Sequence, residues 1–485
     1  MNFLSLAFYA FIPIFLIIYY VVPTKYRYVV ITIGSFLFYG FADVRMLLVL
    51  LIIIIITYIG GLVLESKKTK CVYATFFILT IMVLLIFKYT NFIIQNINIV
   101  FSKLHLGNSE IEQMNLILPV GLSFIVFQAC TYLGDVYKAN INAERNPIRY
   151  AAFIAFFPTV LAGPIQKARQ LLPQITTPLP FDAQRAKKGT ILFVWGLFEK
   201  VMVANKLMVI VNTVYGDYEN YNSAYYIIAG ICFSLYIYAD FSAISDMARG
   251  VSMIMGIYVG KNFNNPYLSC TTSEFWNRWH VSLNEWFIEY LYIPLGGNRK
   301  GKIRKYLNIM IVFFASGLWH GANYHFVIWG ILNGILVVIG RVLKPIKNRI
   351  YTRLKVDETL ESIVLVKRAI VFWLITLTWV FFNNGVSQSM YLVKNMIFFN
   401  FINFFDQQLL CISGTSLATF ITLITVTVFV IVQVKRQNER AEYVRFSRQP
   451  MLFQTILIAI MICAIIFTVC LTDANVNTDF IYYQF

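Results

Sequence analysis

The run MLLVLLIIIIITYIGGLVL, residues Met46–Leu64, contains no charged side chain and decides the fold class. A helix needs about 20 apolar residues to cross the ~30 Å hydrocarbon layer of a bilayer. Two further runs, Phe3–Val22 and Met451–Thr472, reach or approach that length. The sequence therefore predicts an all-α, polytopic integral membrane protein.

The composition of the 485-residue chain supports this prediction. Hydrophobic residues make up 59% of the chain and charged residues 13%, where a soluble protein has about 25% charged residues. The 40 Lys and Arg exceed the 23 Asp and Glu, giving a net charge of +17. In a soluble protein this excess would suggest nucleic-acid binding. Here the basic residues lie in alternate loops, so we expect a lipid bilayer as partner and no nucleic acid.

Basic clusters between the apolar runs predict the topology. Loops rich in Lys and Arg remain in the cytoplasm, and such clusters lie at Lys25–Arg27, Lys67–Lys70, Lys138–Arg149, Arg185–Lys188, Arg299–Lys305, Arg341–Lys355 and Lys435–Arg448. Threading helices between them predicts crossings near 3–22, 29–42, 46–64, 71–87, 116–134, 189–214, 224–241, 306–320, 325–341, 366–383, 416–434 and 451–472. Both termini are then extracytoplasmic, and residues 1–485 form one membrane-embedded domain.

Three segments depart from simple crossings. Tyr150–Ile165 is interrupted by two prolines and a glycine and is predicted to be re-entrant, since non-helical backbone at membrane depth must be satisfied by protein or cavity water. Residues about 240–305 mix charges with aromatics and have no clean span after Tyr258, which predicts short amphipathic helices at the cytoplasmic face. Residues about 306–341 lie between basic clusters and must form a hairpin.

His320 lies about fifteen residues into this hairpin, a climb of roughly 22 Å. Ionisable residues inside a membrane are usually functional, and desolvation favours a neutral imidazole that can accept a proton. Gly321 beside it opens the backbone. A histidine that only forms a hydrogen bond within the helix bundle is the alternative interpretation.

His280 lies near the predicted cytoplasmic surface among tryptophans and Arg278, where aromatic and basic residues commonly act as interface anchors. A two-histidine metal site is not expected, because His325 is five residues beyond His320 and no carboxylate or Cys has useful spacing. The Gly-rich turn Leu295–Lys302 has the chemistry to hold phosphate. Topology and anionic lipid also favour such a basic turn.

Three motifs, in this order, resemble the membrane-bound O-acyltransferase family, and within it the bacterial branch that includes the alginate O-acetyltransferase membrane subunit. They are EFWNRWHVSL at Glu274–Leu283, YLYIPLGGNR at Tyr290–Arg299 and GLWHGA at Gly317–Ala322. The similarity extends to Leu118–Phe124, Phe156–Pro158, Ala162–Ile165, Gly196–Phe198, Asp240–Ser242, Ser245–Ala248 and the terminal Phe480–Phe485.

The resemblance implies a helical bundle with re-entrant segments and a central funnel in a bacterial plasma membrane. His320 corresponds to the family's intramembrane catalytic histidine, and His280 to its second, cytoplasmic-side histidine. With no bound cofactor, the enzyme would take an acyl group, most simply acetyl, from a cytoplasmic thioester such as acetyl-CoA. The acceptor would be a hydroxyl of a surface polysaccharide or an exported acetyltransferase-type partner.

The basic and polar residues near these motifs indicate further roles. Donor phosphates would lie near Arg278, Arg299, Lys300 and Lys302, and Gly321 and Asn323 would contact the oxyanion or the acceptor. Two alternatives remain open at this stage. One is D-alanyl transfer to teichoic acid within the same family. The other is a transporter or flippase with His320 as a proton relay, for which we find no inverted repeat.

Overall fold

The computed structural model describes residues 1–41, 43–104, 110–116, 118–398, 409, 412–436, 446, 448–471 and 480–481. Over these residues the secondary structure is helical and contains no strand, which confirms the all-α prediction. The helices are α1 Leu6–Val21, α2 Arg27–Gly40, α3 Val44–Ser66, α4 Lys70–Lys103, α5 Leu122–Tyr137, α6 Pro147–Ile154, α7 Phe157–Val160, α8 Ala168–Thr176, α9 Ala183–Phe198, α10 Asn205–Gly216, α11 Ser223–Ile254, α12 Thr272–Arg278, α13 Val281–Phe287, α14 Gly301–His320, α15 Tyr324–Arg353, α16 Glu361–Asn383, α17 Val386–Ile397, α18 Ser416–Lys435 and α19 Met451–Leu471. Glu199–Ala204 and Ile288–Tyr292 are π-helical turns.

Seven of the described helices are long and apolar enough to cross a membrane: α3, α4, α11, α15, α16, α18 and residues Met451–Val469 of α19. The chain is therefore a multi-pass membrane protein, as the composition predicts. The described residues do not fix the orientation of the termini, which stays a prediction.

Helix α4 continues well beyond the predicted crossing 71–87. The hydropathy of the sequence falls where the asparagines begin. The asparagine amides form hydrogen bonds with backbone groups of another segment, and the helix continues. Asn91 donates to the Met114 carbonyl and accepts from the Met114 N–H, both at 2.9 Å. Asn98 exchanges the same two bonds with Ile111, at 2.9 and 3.0 Å. An extended segment is thus paired along the second half of α4.

The motif block also begins later than predicted. Helix α11 runs without a break through residue 240 to Ile254, where we expected the amphipathic block to start near 240. Its charges are neutralised by pairing: Asp240 forms a 2.6 Å ion pair with Lys200, and Asp246 forms a 2.7 Å pair with Arg249. A paired charge costs far less to bury than an isolated one. Short helices α12 and α13 then follow, as predicted.

The predicted re-entrant segment is a broken helix. Between α6 and α7 the chain turns, and its freed backbone groups bind buried side chains. The Phe157 N–H donates to the Ser35 hydroxyl at 3.1 Å, and the Phe153 carbonyl accepts from the Gln128 amide at 2.5 Å. This satisfies the backbone in the way that membrane burial requires. Its depth in a bilayer stays a prediction.

The chain divides into two compact units, one of Met1–Phe193 with Ile244–Gly260 and one of Val194–Ala243 with Lys261–Ile481. The first unit contains α1 to α8, with the almost wholly buried helix α5 among them. The second unit contains both motif histidines. The single-domain interpretation of 1–485 stays a prediction.

Helices α14 and α15 form the predicted hairpin, packed backbone against backbone. A Cβ atom on Gly317 would lie closer than 3.0 Å to the Phe326 carbonyl, and one on Gly330 would lie equally close to the Phe313 carbonyl. Small residues permit such close approach, which is the main source of packing energy between membrane helices. The two glycines therefore set the distance between the helices and with it the position of His320.

Candidate active site

His320 is the last residue of α14 and is 3% exposed. The Trp329 ring of α15 stands perpendicular to the imidazole, with centroids 5.0 Å apart. The Phe382 ring of α16 lies 5.1 Å away at 75°. Three helices thus fix the orientation of this imidazole in an apolar setting.

The turn after His320 explains the neighbouring motif residues. Gly321 is buried, and a Cβ atom there would overlap the Phe326 ring, so the glycine permits this close packing. Asn323 is the N-cap of α15, and its side chain accepts from the His325 N–H at 3.4 Å. The structure therefore gives Asn323 a capping role, and its predicted role with the oxyanion or acceptor stays a prediction, as does that of Gly321.

His280 lies between α12 and α13 in the left-handed backbone region, with φ 44° and ψ 55°. This conformation costs a non-glycine residue about 1–2 kcal/mol and is held by Asn262. The Asn262 carbonyl accepts from the Val281 N–H at 2.9 Å, and its side-chain oxygen accepts from the Ser282 hydroxyl at 2.6 Å. Backbone strain retained in this way occurs at functional sites.

The His280 ring is 2% exposed and is packed by aromatic rings. Phe241 lies 4.6 Å away at 87°, and Trp319, the residue before His320, lies 5.9 Å away. Burial lowers the pKa of His280 well below its usual range. The imidazole is therefore neutral at pH 7.

Both histidines line one cavity of about 50 Å³. Its walls come from α12, α13 and α14 and from the turn between the first two: Trp276, Trp279, His280, Leu283, Asn284, Phe287, Val312, Phe313, Ser316 and His320. This volume suits a few water-sized groups. Two histidines that are far apart in the sequence thus line the same small cavity, whose other walls are largely apolar.

Two polar residues of this cavity were missed by the sequence analysis. Ser316 precedes His320 by four residues on α14, and Asn284 follows His280 by four residues at α13. Residues four apart share a helix face. That spacing was the available signal for Ser316, which lies on the same helix as His320, whereas His280 precedes α13 in the left-handed region and gave no such signal for Asn284.

The predicted donor residues lie outside the cavity lining. Arg299, Lys300 and Lys302 are exposed in the turn that begins α14, and Asn308 holds this turn by donating to the Gly297 carbonyl at 3.1 Å. The turn is some 27 Å along the helix from His320, at 1.5 Å per residue. The structure does not bring these cations to the histidines.

Arg278 lies two residues before His280 and forms a 2.7 Å ion pair with Glu274, one helical turn away. Its predicted contact with the donor stays a prediction. Among the described residues, no three His, Cys, Asp or Glu side chains are grouped as metal ligands, so we assign no metal role to either histidine.

The described residues thus define the class as a multi-pass helical membrane protein with two buried histidines at one cavity. The chain belongs to the membrane-bound O-acyltransferase family, whose sequence model matches residues 31–387. It is therefore an acyltransferase, and the transporter alternative is set aside.

Several characterised proteins are similar to this chain. A probable alginate O-acetylase, AlgI, of Pseudomonas syringae pv. tomato is 32% identical over 379 residues, which are 77% of this chain and 70% of that protein. The peptidoglycan O-acetyltransferase of Helicobacter pylori is 30% identical over 401 residues, covering 76% and 73%. The teichoic acid D-alanyltransferase of Bacillus subtilis is 27% identical over 240 residues, covering 46% and 59%.

Proposed function

We propose that this acyltransferase moves an acetyl group from a cytoplasmic thioester to a hydroxyl of an extracytoplasmic polysaccharide. The observation that carries the proposal is the meeting of His280 and His320 at one buried cavity. The names of the relatives that match over most of this chain support acetyl as the group and a polysaccharide as the acceptor. The particular polysaccharide is left open.

His320 is the general base of the proposed reaction. It accepts the proton of the acceptor hydroxyl while the hydroxyl oxygen attacks the carbonyl carbon of the thioester. The intermediate collapses as the C–S bond breaks, and the leaving thiolate takes the proton from His320. The acyl group is then an ester, and the histidine is neutral again.

His280 is proposed as the second histidine of the reaction, on the donor side of the cavity. Its neutral imidazole has a nitrogen for the thiol end of the donor, and the left-handed backbone fixes the ring towards the cavity. Arg278 and the turn with Arg299, Lys300 and Lys302 are proposed to bind the donor's phosphates. A thioester on an extended arm, such as acetyl-CoA, suits phosphates bound at a distance from the reacting carbon.

The proposed location is a bacterial plasma membrane with both termini extracytoplasmic, supported by the alternation of basic and acidic loops. Single cysteines at Asn108 and Asn475 in a cysteine-free background should react with an impermeant thiol reagent from outside. A cysteine at Lys302 should react only after permeabilisation. External labelling at Lys302 would place the donor turn on the wrong side and contradict the proposal.

Acetyl transfer to an exported partner protein and D-alanyl transfer to teichoic acid are the alternatives. The D-alanyltransferase relative matches less than half of this chain, which favours acetyl. The acceptor can be the polysaccharide itself or an exported protein that hands the group on.

Purified protein in proteoliposomes tests the proposal. Radiolabelled acetyl-CoA on the side of Lys302 and a polysaccharide on the opposite side should give label in the polysaccharide. A parallel reaction with a D-alanyl thioester should give none. Label that requires an added exported protein would support the partner route, and the absence of acetyl transfer under every arrangement would contradict the proposed function.

A further inference from the structure

Three tryptophans around the histidines differ in how their indole N–H groups are bonded. Trp379 donates to the Tyr267 hydroxyl oxygen at 3.2 Å. The indole nitrogens of Trp276 and Trp329 are buried, but within the part of the chain that the structure describes they have no hydrogen-bond partner. The aromatic cluster thus contains two indole donors that no described residue accepts from.

An unused buried donor has a cost. Leaving a buried N–H without an acceptor costs about 1–3 kcal/mol, and native proteins rarely retain such groups without a reason. Trp329 is fully buried and packs against His320. Trp276 instead lines the cavity that His280 and His320 share. Of these two rings, that of Trp276 therefore lies beside the space that a substrate would enter.

The Trp276 ring is also held in place. Its centroid lies 5.5 Å from that of Trp329 at 78° and 5.5 Å from that of Phe313 at 75°, both in the edge-to-face arrangement that aromatic pairs prefer. Trp329 in turn contacts His320. A donor fixed before the reaction, in a site from which water is largely excluded, is what stabilises developing charge most effectively.

We propose that the Trp276 indole N–H is a catalytic hydrogen-bond donor to the carbonyl oxygen of the acyl group. This inference rests on the proposed function. When the acceptor oxygen bonds to the carbonyl carbon, the C=O π electrons move onto the carbonyl oxygen, and His320 takes the hydroxyl proton. The Trp276 N–H stabilises that oxyanion until the C=O bond re-forms and the thiolate leaves with the proton.

Trp276→Phe tests this assignment because it removes the N–H and keeps an aromatic ring. Loss of one oxyanion donor lowers kcat by about 10²–10³, and we expect such a loss with the donor KM changed less than about threefold. Trp286→Phe is the matched control: Trp286 is also buried and packs on Tyr290, but it does not line the cavity. Its kcat should stay within about threefold of wild type.

A second variant separates the lost hydrogen bond from lost packing. Trp276→benzothienylalanine replaces the indole N–H by sulfur and keeps the shape of the ring, so the fold is retained even if Trp276→Phe is unstable. We expect it to lose kcat as Trp276→Phe does. A kcat equal to that of wild type in the benzothienylalanine variant would overturn the role of Trp276 and leave the proposed function standing. A wild-type enzyme without acyl transfer from any thioester would overturn both.

Discussion

Replacing Asp240 with leucine should destabilise the second compact unit by removing one half of a buried ion pair. Lys200 Nζ lies 2.6 Å from the Asp240 carboxylate, and each side chain is 1% exposed. The second carboxylate oxygen accepts from the Ile481 N–H at 2.9 Å, and the Lys200 ammonium lies 4.6 Å from the Phe480 ring centroid. The pair thus joins the π-helical turn and α11 to Phe480 and Ile481.

The expected loss is about 3–5 kcal/mol, because a buried lysine is left without its carboxylate. At about 2–4 °C per kcal/mol, the unfolding temperature in detergent should fall by roughly 6–20 °C. The double variant Lys200→Met with Asp240→Leu replaces both charges by apolar groups and should recover most of the loss, since such replacements are often neutral.

Thermal unfolding of the four proteins of this double-mutant cycle provides the measurement. A coupling energy near zero, with the double variant as unstable as the sum of the single ones, would refute the reasoning. So would an Asp240→Leu variant that unfolds within about 1 °C of wild type, because the ion pair would then contribute nothing to the fold.

Three further predictions concern the hairpin, the donor turn and His280. Gly317→Ala should lower the free energy of unfolding by about 1–3 kcal/mol, as overpacking does, and should lower kcat by moving α14 away from α15. Gly385→Ala is the control, because a Cβ atom there meets nothing within 4 Å. It should change neither the unfolding temperature nor kcat. Changing Arg299, Lys300 and Lys302 to Gln should raise the donor KM more than it lowers kcat. The difference in KM between this variant and wild type should shrink with added salt, since screening acts over about 8 Å at 0.15 M. An unchanged KM with unchanged topology would limit the turn to a topogenic role. Because burial lowers the pKa of His280, the unfolded chain binds a proton below about pH 6.5 that the folded chain does not, so stability should fall as the pH drops through that range. His280→Asn, which tolerates the left-handed backbone, should flatten this fall in thermal unfolding between pH 7 and pH 5, and an unchanged slope would contradict it.

The sequence predicted the helical class and the hairpin because both follow from properties that a single chain displays. Apolar runs of bilayer length give the spans, and the basic clusters on both sides of residues 306–341 give the hairpin. Hydropathy failed where a polar side chain has a partner distant in the sequence. Asp240 lies at the start of the predicted amphipathic block, but in the folded chain it is buried and pairs with Lys200. The sequence does not show this pairing.

The same limit applies to the site. The motifs identified His280 and His320, but no periodicity relates two residues so far apart in the sequence, so the cavity that they share was not predicted. The capping bond that the Asn323 side chain accepts from the His325 N–H was not predicted from the sequence. The Trp276 N–H is unused because no described neighbour places a hydrogen-bond acceptor beside it. No sequence pattern predicts the absence of such an acceptor.

The central claim is that His320 is the base of acyl transfer, and His320→Ala tests it most directly. General-base catalysis contributes about 10²–10⁴ in rate. His325→Ala is the matched control, because His325 lies in the same hairpin and its ring pairs with the Phe381 carbonyl at 3.0 Å, outside the cavity lining. With radiolabelled acetyl-CoA in proteoliposomes, we expect His320→Ala to lose at least about 100-fold in kcat at an unfolding temperature close to that of wild type. Acyl transfer by a folded His320→Ala protein at a rate near that of wild type would contradict the account.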